Sequence, residues 1–108
     1  MNYDTFEEIF DEIEDKIDRL EKAQYTLASV ESSFKSYEAS TKKAYMDAGM
    51  SAVAAEAEMR AVGESWRDFY LQVQEHSSRV EKIKRTIKLL EMRHDALRSA
   101  KADARRVV

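Results

Sequence analysis

The stretch KKAYMDAGMSAVAAEAEMR, residues 42–60, decides how this chain folds. Apolar residues recur at helical spacing on both sides of it, yet inside it stand Ser51 and Gly49, one of only two glycines among 108 residues. A glycine just past a helix's last turn takes the left-handed C-cap conformation without a Cβ penalty, and a serine two residues on is a good N-cap for the next helix. The stretch therefore reads as the bend of a helical hairpin. It predicts a first helix over about 5–48, a bend at 49–51 and a second helix over about 52–106.

Working upstream, Thr5 and Glu8 have the spacing of a capping box, and Glu7, Glu8 and Asp11 complement the positive end of a helix starting there. From that start Phe6, Phe10, Ile13, Ile17, Leu20, Gln24, Leu27, Val30, Phe34, Tyr37, Thr41 and Ala44 recur at steps of three and four. Downstream the same steps connect Met59, Val62, Trp66, Phe69, Val73, His76, Val80, Ile83, Ile87, Leu90, His94 and Leu97. Two such seams are the pattern of a coiled coil. The expected fold is all-α: one helical domain over 1–108, built as a long antiparallel hairpin with arms of about 65–80 Å at 1.5 Å per residue. A break near Gly63 would make it a three-helix arrangement, although a single glycine inside a helix costs only about 1 kcal/mol relative to alanine.

Folding about 49–51 pairs residues whose numbers sum to roughly 100, as in any antiparallel hairpin. Trp66 is then expected near Phe34, Gln24 beside His76 as a buried polar pair, and the acidic run 4–21 beside the basic run 79–96. Two helices cover only narrow stripes of each other, so Phe10, Tyr25, Tyr45, Tyr70 and Met92 would leave apolar surface. Assembly into a helical homo-oligomer is the expected remedy.

Composition bounds the function. The chain contains no proline and no cysteine, which excludes disulfides, thiolate catalysis and cysteine zinc sites. The acidic N-terminus MNYDTFEEIFDEIEDK is unlike a secretory signal or transit peptide, and no apolar run approaches the roughly 18 residues of a membrane span. A cytoplasmic location, in a bacterial or phage-infected cell, is the expectation, with no membrane partner. The net charge is −3, but residues 1–34 hold ten acids and three bases whereas residues 79–108 hold four acids and ten bases. That asymmetry is first explained by pairing within or between hairpins.

Nothing in the chain points to an enzyme or a cofactor. Glu91 and His94 have the i, i+3 spacing of carboxylate-bridged metal sites, but the facing helix offers Phe6 and Phe10 instead of the glutamates such a site needs. There is no phosphate-cradling glycine loop, and Ser29, Ser32, Ser33, Ser36 and Ser40 read as small residues on an exposed face. Basic residues interleaved with aromatics are the better signal. Lys35, Lys42, Lys43, Arg60 and Arg67 share a neighbourhood with Tyr37, Tyr45, Trp66 and Tyr70, a combination suited to phosphate neutralisation and base stacking. Arg98, Lys101, Arg105 and Arg106 lie beyond the point where the first helix can pair with the second. The competing explanations are ordinary ones: cations complement a helix C-terminus, and a tryptophan on a seam packs in the core.

Two segments carry a family resemblance. KKAYMDAGMSAVAAEAE, followed by a long charged helix ending in HDALRSAKADAR, resembles small helical proteins of tailed phages and, among them, the UvsY-type recombination mediators. In those a basic segment of the form K-A-R-L-D precedes a glycine-containing turn and a late helix carries L-D-A-I-K-S. The matching positions are Lys43, Ala44, Tyr45, Met46 and Asp47, then His94, Asp95, Ala96, Leu97, Arg98 and Ser99. The resemblance implies a homo-oligomer that binds single-stranded DNA and helps load a RecA-like recombinase onto strands covered by single-strand-binding protein. It carries Lys43 over as a DNA contact; Tyr45 stands where the mediator has a second base, a role Lys42 would have to take. The candidate DNA-binding residues are thus Lys42, Lys43, Tyr45, Arg60, Arg67, Arg98, Lys101, Arg105 and Arg106. The alternative is a coiled-coil interaction module, a scaffold, adaptor or host-directed inhibitor, that recognises protein and has no nucleic-acid affinity.

Overall fold

The computed structural model describes residues 5–107, and the side chains of residues 5–104. The chain is all-α, with α1 over Phe6–Asp47, α2 over Ala52–Val62 and α3 over Glu64–Val107, and the described residues contain no strand. The ends form where the sequence places them. The Thr5 hydroxyl accepts from the Glu8 amide at 3.1 Å, satisfying one of the free N–H groups that open α1. At the other end Gly49 has φ 105°. The Gly49 amide donates to the Met46 carbonyl at 3.0 Å and the Met50 amide to the Tyr45 carbonyl at 3.1 Å, the pair of bonds that defines a Schellman C-cap. Ser51 then caps α2, its hydroxyl accepting from the Ala54 amide at 3.2 Å.

The second glycine does break the helix. Gly63 is extended, with φ −102° and ψ 115°, and separates α2 from α3. A side chain there would sit 3.3 Å from the Met59 carbonyl and 3.4 Å from the Tyr37 hydroxyl. The tightest neighbour is thus the backbone at the end of α2 itself, with the Tyr37 hydroxyl of α1 at van der Waals distance, and no positive φ is involved.

The helices form two compact units, one from Met1–Ala23 and Arg79–Val108, the other from Gln24–Ser78. Within each, the α1 segment runs antiparallel to the α3 segment. In the first unit Phe6 meets His94 edge-on, ring centroids 4.9 Å apart. In the second Phe34 lies 5.8 Å from Trp66, as the numbering rule predicts.

The seam of α3 is the expected one: Val80, Ile87 and Leu90 are buried, and Trp66, Phe69, Val73, His76, Ile83, His94 and Leu97 half-buried. On α2, Ala55 and Met59 are buried while Val62 turns outward, a correction to its place on the seam. The seam of α1 differs over its first five turns, and Ala44 at its far end is exposed. Ile9 is fully buried and Ala23 buried, whereas Phe10 is 55% and Ile17 43% exposed, and Gln24 is exposed where Lys16 is half-buried. The observed line is therefore 6, 9, 13, 16, 20, 23, 27, 30, 34, 37, 41, an unbroken alternation of three and four. Routing it through 10, 17 and 24 needs two successive steps of three at 24, 27 and 30, which would overwind the seam. Lys16 tolerates the position by laying its methylenes along the seam while its ammonium reaches Glu12 at 3.4 Å. With Ala23 on the seam, the buried Gln24–His76 pair does not form.

In the first unit the acidic run of α1 lies beside the basic run of α3, as expected: Glu12 and Lys16 line one cleft with Thr86 and Arg93. Lys16–Glu12, Arg19–Asp15, Lys22–Asp18, Lys84–Glu81 and Arg98–Asp95 are all i, i+3 or i, i+4 pairs along one helix. Each helix neutralises part of its own charge at modest gain, about 0.3–0.5 kcal/mol for an exposed pair of this kind.

Candidate nucleic-acid interface

In the second unit the end of α1, the glycine-capped turn, α2 and the first turns of α3 gather five aromatic and basic groups around Trp66. The indole N–H donates to the Glu38 carboxylate at 3.1 Å, which fixes the ring's orientation. Phe34 approaches the ring at 54°. Tyr70, one helical turn on, stacks nearly parallel to it at 5.3 Å and 12°. Arg60 at the end of α2 places its guanidinium carbon 5.6 Å from the Trp66 ring centroid, and a 2.9 Å ion pair from Glu56 steadies it there. Beneath, Phe69 stacks on Phe34 at 6.0 Å and meets Tyr37 at 5.0 Å with the rings tilted by 31°. Trp66 is therefore half core residue and half surface platform, and Tyr70, 43% exposed, extends the platform outward.

The candidate residues take distinct places. Arg60 belongs to the platform. Arg67 is exposed on the first turns of α3, and Lys43 is exposed and Lys42 half-buried near the end of α1. Among the described residues Lys35, Lys42, Lys43 and Arg67 have no carboxylate partner. Tyr45 is half-buried and makes no ring contact with the cluster among the described residues.

Arg98 and Lys101 belong to the first unit and have partners in it. Arg98 reaches Asp95 at 3.8 Å, and the Lys101 ammonium stands 4.2 Å over the Phe6 ring. The side chains of Arg105 and Arg106 lie outside the described residues. Sequence reasoning missed Glu38 as the group that holds the indole. Its number and that of Trp66 sum to 104, a near-register pairing that the same antiparallel rule could have found.

No known protein family, curated protein or solved structure matches the chain. The site's chemistry must therefore be read from its own residues. Among the described residues no cluster of three or more His, Asp or Glu is placed to hold a metal ion; His94 packs on Phe6 and lies 3.9 Å from Asp95. No helix among them is long and apolar enough to cross a membrane. The second unit thus offers a partly exposed aromatic pair, Trp66 and Tyr70, with the Arg60 guanidinium beside it.

Proposed function

We propose that this chain is a non-catalytic, phage-type accessory protein of recombination or replication that binds single-stranded DNA. The observation that carries the reading is the stacked Trp66–Tyr70 pair under Arg60, with Lys35, Lys42, Lys43 and Arg67 free of carboxylate partners in the same unit. Tyr70 offers its outer face to a base, and Trp66 and Glu38 hold it in place. Lys42, Lys43 and Arg67 neutralise phosphates. An unstacked single strand suits the platform better than a duplex, whose bases are already stacked on one another. The resemblance to recombination mediators extends the proposal to loading a RecA-like recombinase past single-strand-binding protein, in the cytoplasm of a bacterial or phage-infected cell.

The test is fluorescence anisotropy of labelled single-stranded and duplex oligonucleotides titrated at low and moderate salt. Binding should prefer the single strand, and its log–log salt dependence should fall by roughly 0.7 per phosphate contact. Lys42→Ala with Lys43→Ala should lower that slope while helicity is kept. Tyr70→Ala should weaken binding by about 1–3 kcal/mol, the worth of one stacked base. Salt-insensitive binding, or none at low salt, overturns the proposal.

A second reading has its own observation. Phe10, Leu89 and Met92 of the first unit are each more than half exposed, more apolar side chain than a finished surface on so small a unit needs. A helical module that recognises protein, without nucleic-acid binding, would use them; it predicts stoichiometric complexes and no oligonucleotide affinity.

A further inference from the structure

One flank of the first unit leaves two large apolar side chains, Phe10 and Ile17, exposed to solvent. Lettering the observed α1 seam as heptad positions a and d puts Phe10 and Ile17 at e, next to the seam, and Glu14 at b beyond them. On α3 the seam residues Val80, Ile83, Ile87 and Leu90 put Lys84 and Glu91 at e and Lys88 at b. In an antiparallel pair the two e positions share one side, and the structure agrees: Phe10 and Ile13 line one cleft with Glu91, His94 and Asp95. A second cleft on the other side of Phe10 is lined by Phe6, Glu7, Asp11 and His94. Phe10 thus stands as an apolar ridge between two open clefts where a closed helical pair would carry charged side chains.

We infer that this flank binds a second copy of the chain, across a two-fold axis parallel to the helices, so that α1 of each copy packs on α3 of the other in a four-helix arrangement. Charge complementarity names the occupant. Residues 6–23 hold eight acids and three bases, and residues 79–104 hold eight bases and four acids, so one copy presents an acidic and a basic helix side by side. A second copy, turned by 180°, meets both with opposite charge, which is the condition for an isologous interface. The flank's unpaired ions fit the same axis. Glu14 and Lys88 are exposed and have no ion partner among the described residues. They lie at one level of the antiparallel pair, as neighbouring Lys16 and Thr86 do in lining one cleft, but on outer positions pointing away from each other. The two-fold brings Glu14 of one copy to Lys88 of the other, twice. It also brings each Phe10 and each Ile17 toward its own symmetry mate, adding two apolar layers between the hairpins.

This interface stands independently of DNA binding, because it uses the first unit alone, and it is tested without DNA. Sedimentation equilibrium of the full chain should give a dimer at micromolar concentration. Phe10→Gln with Ile17→Gln should shift the mass to the monomer at the same concentration with far-ultraviolet circular dichroism unchanged, since both positions are exposed within one chain and glutamine is a good helix former. Glu14→Lys alone and Lys88→Glu alone each set two like charges together and should weaken the dimer roughly threefold to thirtyfold, two exposed pairs' worth. Combining them restores opposite charges across the axis and should recover the parental dissociation constant. A chain that stays monomeric to tens of micromolar, a trimer or larger ring, or a dimer indifferent to the Phe10 and Ile17 replacements overturns the inference. So does a charge reversal whose combination is no tighter than either single change.

Discussion

Replacing Ile9 and Phe10 by alanine, one at a time, separates the observed seam from the more apolar one the sequence offers. Ile9 has no exposed surface and Phe10 keeps 55% of its own. Truncating Ile9 removes three methylene equivalents at about 0.8 kcal/mol each. The cavity left between α1 and α3 adds to that, so the cost should be about 2.5–4 kcal/mol, within the range for buried isoleucine. Truncating Phe10 loses contacts on one side of the ring only and opens no enclosed cavity, while alanine recovers about 0.5 kcal/mol of helix propensity. Its net cost should be about 1 kcal/mol or less. The assay is urea unfolding followed at 222 nm, at a protein concentration low enough for the single chain to dominate and again at tenfold higher concentration. Ile9→Ala should lower the midpoint equally at both. Phe10→Ala should matter mainly at the higher one, where a second copy covers the ring. Equal losses at low concentration, or a larger loss for Phe10→Ala, would refute the heptad assignment on which the packing of the first unit rests.

Lys16→Leu should stabilise the chain by about 1 kcal/mol, because it completes an apolar seam at position 16 and gives up only one intrahelical ion pair with Glu12; a lower urea midpoint would contradict its seam position. Gly49→Ala should cost about 1–2 kcal/mol, the strain of a side chain at positive φ, read as a fall in thermal midpoint. Glu38→Ala removes the acceptor of the indole N–H and should cost about 1 kcal/mol. It should also change the emission of Trp66, the chain's only tryptophan, and unchanged emission would argue against that hydrogen bond.

Where local chemistry alone decides, the chain was legible. Thr5, Gly49 and Ser51 each do at the helix ends what their side chains allow, since capping depends on a few neighbouring backbone groups and not on distant packing. The pairing of Phe34 with Trp66 followed from the bend and the rise per residue. The α1 seam was misread for a physical reason: a phenylalanine and an isoleucine at 10 and 17 attract the eye, and a lysine at 16 repels it. Yet the continuous heptad running back from Thr41 through Phe34 leaves no freedom to choose them. Geometry of the whole helix overrode local hydrophobicity. At the candidate interface, Arg60 and Tyr70 beside Trp66 were readable from spacing, whereas Tyr45 makes no ring contact with them among the described residues. The Glu56–Arg60 pair follows from i, i+4 spacing and Glu38 under the indole from the antiparallel register, whereas Gly63 against Tyr37 was not readable, because it depends on which side chain of a neighbouring helix faces it.

Gly63 has one further consequence. It leaves α2 as an eleven-residue helix between the Ser51 cap and Gly63, too short to persist in water on its own. Its hold on the unit comes from Ala55 and Met59, its two buried side chains. Such a segment can exchange its amide protons by undocking as a piece, without the longer helices opening. α2 should therefore exchange its amides ahead of α1 and α3, and a ligand bound at Arg60 should slow that exchange.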